Sequence, residues 1–255
     1  MALPRASDDA ALANRLATSA GSMLVELRSA GQLSPAGLRT EGDRRSHHLL
    51  LDELGSHRPG DCVLSEEGDD DDARLDAERV WIIDPLDGTR EYSEQRDDWA
   101  VHVALWERGA LVAGAVALPA LSFAASTDDI LTPPADVPGR PLRVAVSRTR
   151  PPSVMARLAE LIPLELVPMG SAGYKVMAVV RGDVDAYVHA GGQYEWDSAA
   201  PVAVARAAGA VATRLDGTPL VYNRPDPLLP DVVVVRADRS QVLRDALDAA
   251  LEESA

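Results

Sequence analysis

Residues 80–92, VWIIDPLDGTREY, join an apolar run directly to two carboxylates. Val80 to Ile83 has the β-branched and aromatic character of a buried strand, and Asp84 and Asp87 follow it. Carboxylates at such a place are costly to desolvate unless something pairs with them. Any fold that buries this strand must therefore bring partners to both. Pro85 discourages helical geometry at Asp84, and Asp87-Gly88 is a turn dipeptide, so the strand is predicted to end at Asp84. The two carboxylates would then face one pocket at the strand's carboxyl edge, where α/β proteins often bind ligands. Two turn aspartates capping the next element are the alternative.

Around this motif the chain alternates helical and strand periods. Leu12, Leu16, Met23 and Leu27 mark a helix over about 8–28, which Gly31 and the following SPAG are expected to end. A second helix is predicted from Asp43 to about Gly55, and a short strand at 62–64. Residues 99–106, 109–118 and 121–126 form a predicted strand meander. The Pro- and Asp-rich stretch 127–141 lacks periodicity and is the expected boundary between two halves. Beyond it come strands at 142–147, 184–190 and 231–237. Helices are expected at 152–162, within 170–182, from Trp196 to near Gly209 and at 239–253, with a hairpin-like turn and strand at 216–223.

Charge and composition exclude several functions. A formal net charge of −15 disfavours nonspecific binding to nucleic acid or to an anionic membrane. An anionic substrate would need a local cation, either Arg/Lys or a metal. Cys62 is the only cysteine, so neither an intrachain disulfide nor a thiolate cluster is expected. The first residues lack the apolar stretch of a signal peptide, and no uncharged apolar run approaches ~18 residues. A cytoplasmic protein is expected.

Two more acidic sites lie near strand or helix ends. Glu66-Glu67 follows the strand at 62–64, and Asp197 opens a predicted helix beside Glu195 and Trp196. Capping alone would account for Asp197. Together with Asp84 and Asp87, these groups offer the hard oxygen ligands of a Mg2+ cluster. The run Asp69 to Asp72 lacks the spacing of a Ca2+ loop and is read as solvated. On the phosphate side, GSAGYK (170–175) opens a helix whose first N–H groups could face an oxyanion. Lys175 is the only lysine among 25 basic residues, a compact charge one turn into that helix. There is no G-x-G-x-x-G after a strand, no Walker A sequence and no G-x-S-x-G elbow. His102, in an alternating strand, is read as structural.

SEE (65–67), WIIDPLDGT (81–89) and EWDSAA (195–200) together resemble the three signatures of the inositol monophosphatase-like, Mg2+-dependent, lithium-sensitive phosphatases. DGTREY with GSAGYK is similar to the bacterial CysQ type, the 3′(2′),5′-bisphosphate nucleotidases, although Tyr92 stands where Phe is usual and Tyr174 where an aliphatic residue is common. The resemblance implies a layered α-β-α-β-α fold of the inositol monophosphatase/fructose-1,6-bisphosphatase type. It would have an α+β half over 1–130 and an α/β half over 141–255, forming one compact unit with the active site between them.

By the same resemblance, Glu66, Asp84, Asp87, Asp197 and the Leu86 carbonyl would hold two or three Mg2+ ions, with Glu67 supporting Glu66. Thr89 would orient the attacking water with Asp43 as its acidic partner. The backbone of Gly88 and Thr89 would meet the scissile phosphate, and Arg90, Gly170, Ser171, Lys175 and Asp197 would contact the rest of the substrate. Lithium inhibition and a homodimer are also implied. The expected reaction is hydrolysis of the 3′-phosphate of 3′-phosphoadenosine 5′-phosphate, and of its sulfated relative, in sulfur assimilation. Inositol 1-phosphate and fructose 1,6-bisphosphate are the competing substrates, with Arg90-Glu91 favouring the nucleotide. A non-catalytic metal or nucleotide sensor is the third reading.

Overall fold

Strand β2 (Arg79–Asp87) alternates its side chains between two cores, and that alternation organises the molecule. The computed structural model describes residues 6–131 and 139–252. Trp81 and Ile83 point to one face of a five-stranded sheet, into a core built with α1 (Ala6–Ser29) and α2 (Pro35–His57). Val80 and Ile82 point to the other face, into a core shared with α5 (Ala172–Arg181) and α6 (Glu195–Ala207). The sheet also contains β1 (Cys62–Ser65), β3 (Ala100–Glu107), β4 (Ala110–Leu118) and β5 (Phe123–Ser126), in the order β1-β2-β3-β4-β5. Within this sheet only β1 and β2 pair in parallel, and the short α3 (Thr89–Ser93) follows β2.

A second mixed sheet runs β7-β6-β8-β10-β9, formed by β6 (Leu142–Ser147), β7 (Leu164–Met169), β8 (Ala186–Tyr194), β9 (Val211–Thr213) and β10 (Leu228–Val235). Its Ala145, Tyr187, Val232 and Val234 join the core around α5 and α6. The alternate residues Val144, Val188, Val233 and Val235 pack outward against α4 (Val154–Leu161) and α7 (Ser240–Glu252). The layers are therefore helix, sheet, helix, sheet, helix, with α5 and α6 in the middle.

Several local readings are corrected. SPAG begins α2: Ser34 Oγ accepts from Gly37 N–H at 3.2 Å and Pro35 occupies the first helical turn, where its missing N–H costs nothing. Edge strand β7 was not anticipated, because its half-exposed residues lack a clear period and include Pro168. Residues 220–223 form no strand, and short β9 lies before them instead. Part of the proposed boundary, 132–138, lies outside the described residues.

The largest correction concerns β2, which continues past Pro85 to Asp87. Asp84 pairs with His102 and Asp87 with Ala100, so three steps on β2 oppose two on β3. This one-residue bulge is what makes the motif work. In a regular strand, residues three apart face opposite sides; the extra residue returns Asp87 to the side of Asp84. Pro85, lacking an N–H, suits the interrupted ladder.

The middle layer depends on close approach. A Cβ on Gly114 of β4 would lie 3.0 Å from Ala203 Cβ and 3.5 Å from the Ala200 carbonyl oxygen of α6. Gly114→Val should therefore force α6 away from the sheet and cost about 1–3 kcal/mol, measured as a lower urea midpoint. An unchanged midpoint would show that this contact can relax freely.

Candidate active site

The bulge turns Asp84 and Asp87 toward α5 and α6; Asp87 lines a cleft of about 800 Å³ between the sheets, and Asp84 lies buried beside it. Asp84 is buried and accepts from the Leu86 N–H at 3.0 Å. Asp87 closes the start of α5: Oδ1 accepts from Ala172 N–H at 3.1 Å, and Oδ2 from Gly173 N–H at 2.7 Å and Ser171 Oγ at 2.5 Å. The anion met by these N–H groups is thus the protein's own carboxylate. Gly88 follows in the left-handed region at φ 86°, and a Cβ there would press on Ser171 and Trp99, so glycine is required.

Glu66, from the loop after β1, lies within electrostatic reach of Asp84, Asp87 and Asp197. Asp197 sits in the first turn of α6, where Oδ2 accepts from Tyr194 N–H at 2.6 Å. Four carboxylates from three chain segments therefore converge. The crowding is visible in their proton affinities. Lost hydration and the charges of Asp197 and Asp87 push Glu66 up to about 7, although its side chain opens to solvent. Burial and then Asp87 raise Asp197 to about 6. Burial, followed by Glu66, Asp87 and Asp197, raises Asp84 well above the carboxylate range. Asp87 differs: burial opposes its ionisation, but His102, Ser171 and Lys175 outweigh that and hold it at about 2.

Oxygen donors with excess negative charge dominate this point, with the buried His102 ring beside Asp84 and Asp87, and that set fits a hard divalent cation. Glu66, Asp84, Asp87 and Asp197 could hold it.

Beside the cluster, Thr89 Oγ1 lies 3.1 Å from the Leu86 carbonyl and 3.3 Å from Asp43 Oδ1. Asp43 comes from α2, half-buried, and burial and the charge of Glu67 raise it to about 7. Glu67 itself is exposed.

The remaining sequence-predicted residues line the cleft with their polar groups already engaged. Arg90 is exposed and donates to Glu94 at 2.8 Å. Gly170 N–H donates to Asp98 at 2.6 Å, and a Cβ there would lie 2.3 Å from Glu91 Cγ. Lys175 is buried; its Nζ donates to the carbonyls of Gly170 and Ser171 at 2.8 and 2.6 Å, and lies 5.3 Å from the Tyr187 ring centre. Glu195 is a structural anchor, accepting from the N–H groups of Asn223 and Arg224 at 2.6 and 2.9 Å.

Further side chains, most of them not foreseen, surround the site. His102 is wholly buried, with Nδ1 3.0 Å from the Trp196 carbonyl and Nε2 3.2 Å from Asp87 Oδ2. Burial disfavours its charged form, but Asp87 more than compensates and raises its pKa. The available signal was its strand phase: His102 shares a face with Ala100 and Ala104, toward the middle layer. Arg148 and Arg150 come from the β6–α4 loop, and His189 from β8. Tyr194 and Trp196 stack with ring centres 4.7 Å apart.

The raised carboxyls dictate a pH dependence. Asp43, Glu66 and Asp197 move from 3.8–4.5 to about 6–7, so across that window the folded state binds more protons than the unfolded. Stability should therefore fall as pH rises through it. His102 acts in the same sense, whereas His47 and His189, lowered by burial, oppose it. Thermal denaturation in EDTA from about pH 5 to 8 should show a falling melting temperature, with a shallower slope in Glu66→Gln. A rising curve, or an unchanged slope in the variant, would contradict the crowding.

Comparison with known proteins agrees with this geometry. The model of the inositol monophosphatase family matches residues 8–253. A 3′-phosphoadenosine 5′-phosphate phosphatase of Mycobacterium leprae is 54% identical over 248 residues, covering 92% of each chain. The 3′(2′),5′-bisphosphate nucleotidase CysQ of Haemophilus influenzae is 32% identical over 218 residues, 79% of this chain and 81% of that one. The crystal structure of CysQ from Bacteroides thetaiotaomicron superposes with a TM-score of 0.76 at 27% identity, covering 90% of this chain and 97% of that chain. With its carboxylate cluster set between two sheets, and with a match running almost end to end, the chain belongs to the inositol monophosphatase family.

Proposed function

We propose that the protein is a Mg2+-dependent phosphomonoesterase that removes the 3′-phosphate of 3′-phosphoadenosine 5′-phosphate, a bisphosphorylated nucleotide. The observation that carries this reading is the meeting of four carboxylates, three of them lining a cleft whose walls hold arginine, lysine and stacked aromatic side chains. An acidic cluster alone would repel such a substrate; with cations it becomes the place where phosphate binds. Glu66, Asp84, Asp87 and Asp197, with the Leu86 carbonyl, would hold the ions. Bound metal would supply an activated water and neutralise charge on the transferring phosphoryl group.

The chain's own residues supply the rest. Thr89 Oγ1, between Asp43 and the Leu86 carbonyl, would orient the attacking water and pass a proton to Asp43. Held near 7, the Asp43 carboxyl is matched to a proton-accepting role at neutral pH. Gly88 leaves the backbone open for close approach of the scissile phosphate. Lys175, tied to the carbonyls of Gly170 and Ser171, would fix the loop carrying those residues and add positive potential to the cleft. Exposed Arg150 is placed to meet a second phosphate, and the Tyr194–Trp196 pair offers a flat apolar surface to a base. A cytoplasmic role in sulfur assimilation, with the sulfated nucleotide as a second substrate, belongs to the same proposal.

Phosphate release from 3′-phosphoadenosine 5′-phosphate, inositol 1-phosphate and fructose 1,6-bisphosphate, with Mg2+ and with EDTA, should show metal-dependent turnover favouring the nucleotide. A preference of tenfold or more for inositol 1-phosphate would reverse the substrate assignment. Asp87→Asn should reduce turnover to background while the protein stays folded. Arg150→Ala should raise KM about tenfold for the bisphosphate and leave adenosine 3′-monophosphate nearly unaffected. Equal effects on both would remove Arg150 from the second-phosphate contact.

A further inference from the structure

His102 touches two of the three segments that build the acidic cluster, and α5 besides. Its Nδ1 meets the Trp196 carbonyl at 3.0 Å, one residue before Asp197. A carbonyl only accepts, so Nδ1 carries the hydrogen. Its Nε2 lies 3.2 Å from Asp87 Oδ2, close enough for an ion pair but off line for a hydrogen bond. Asp84, its cross-strand neighbour, has Oδ2 3.9 Å from Nδ1. The ring edge rests flush on α5, where a Cβ added to Gly173 would stand 1.9 Å from Nε2. Gly173 thus packs close against Nε2 and Nδ1 is already used, with the ring held beside Asp84 and Asp87 in a group whose donor atoms fall within 4.8 Å of one another. The ring is a spacer.

We propose that His102 is a positioning residue that sets the separation of the Asp87 and Asp197 carboxylates, and through it the affinity of the metal site. This rests on the reading that these carboxylates bind metal. The imidazole bridges β2 and α6, which belong to different parts of the chain, at the level of the ligands themselves. Partners that orient metal ligands characteristically govern affinity rather than overall stability.

The test is Mn2+ binding to substrate-free protein, followed by electron paramagnetic resonance. His102→Leu should weaken binding by about tenfold or more, and the Mg2+ concentration for half-maximal activity should rise in parallel. His102→Gln, whose amide reaches the position of Nε2, should recover much of the affinity. Gly173→Ala should weaken binding in the wild type, because its methyl collides with the ring, but add nothing in His102→Ala. If His102→Leu fails to fold, the glutamine and Gly173 variants decide the matter. Folded variants that bind Mn2+ as tightly as the wild type would overturn the positioning role. Absence of Mn2+ binding to the wild type would instead overturn the metal site, and the inference with it.

Discussion

Everything at the centre of this molecule depends on where the Asp87 carboxylate is buried. It leaves the first sheet at a bulge and accepts two backbone N–H groups and a hydroxyl from the start of α5. A helix N-terminus carries partial positive charge and unpaired donors, so a carboxylate there satisfies both. The contact spans more than eighty residues of sequence and joins the two parts of the chain at the cleft floor. Because Asp87 is committed in this way, its side chain cannot swing freely, and the neighbouring carboxylates must be arranged around it.

That arrangement is electrostatically unfavourable by itself. Asp84, Glu66 and Asp197 each hold protons more tightly, first because they are buried and then because other carboxylates of the cluster, Asp87 among them, are near. Such local conflict in an otherwise well-satisfied structure is characteristic of a functional site. Elsewhere several buried charges are answered by opposite charge. Asp9 meets Arg58 and Arg79, Asp185 meets Arg140, and Arg74 meets Asp70 together with Asn223. The cluster is the place where carboxylates outnumber what the side chains around them can neutralise.

The layered fold was implied by the resemblance that the three acidic motifs carry, while strands such as 80–83 and 232–235 were legible as continuous apolar runs because both of their faces are buried. The acidic residues were legible for a related reason: carboxylates adjoining apolar strands need an explanation. What could not be read was register. That Asp84 and Asp87 face the same way depends on a one-residue offset against β3, and the role of His102 depends on the residue paired across from it. The SPAG segment was misread because Gly and Pro punctuate both ends of helices, and only the Ser34 hydroxyl's bond to Gly37 distinguishes a start. β7 escaped because an edge strand exposed on one side carries little apolar signal. The GSAGYK loop was recognisable as an anion-binding element, but the identity of its anion was a tertiary fact.

The middle helices bear on how a molecule could enter the cleft. α5 and α6 pack on the first sheet and the second through one continuous apolar cluster, with glycines and alanines at the tightest points. Rotating one sheet away from the other like a hinged jaw would tear that cluster open and wet both faces at once. The scaffold is therefore a stiff frame, and admission falls to the short segments that line the cleft at 147–150 and 192–194. Selectivity can then drift by exchange of a few rim residues while the buried carboxylates stay where they are.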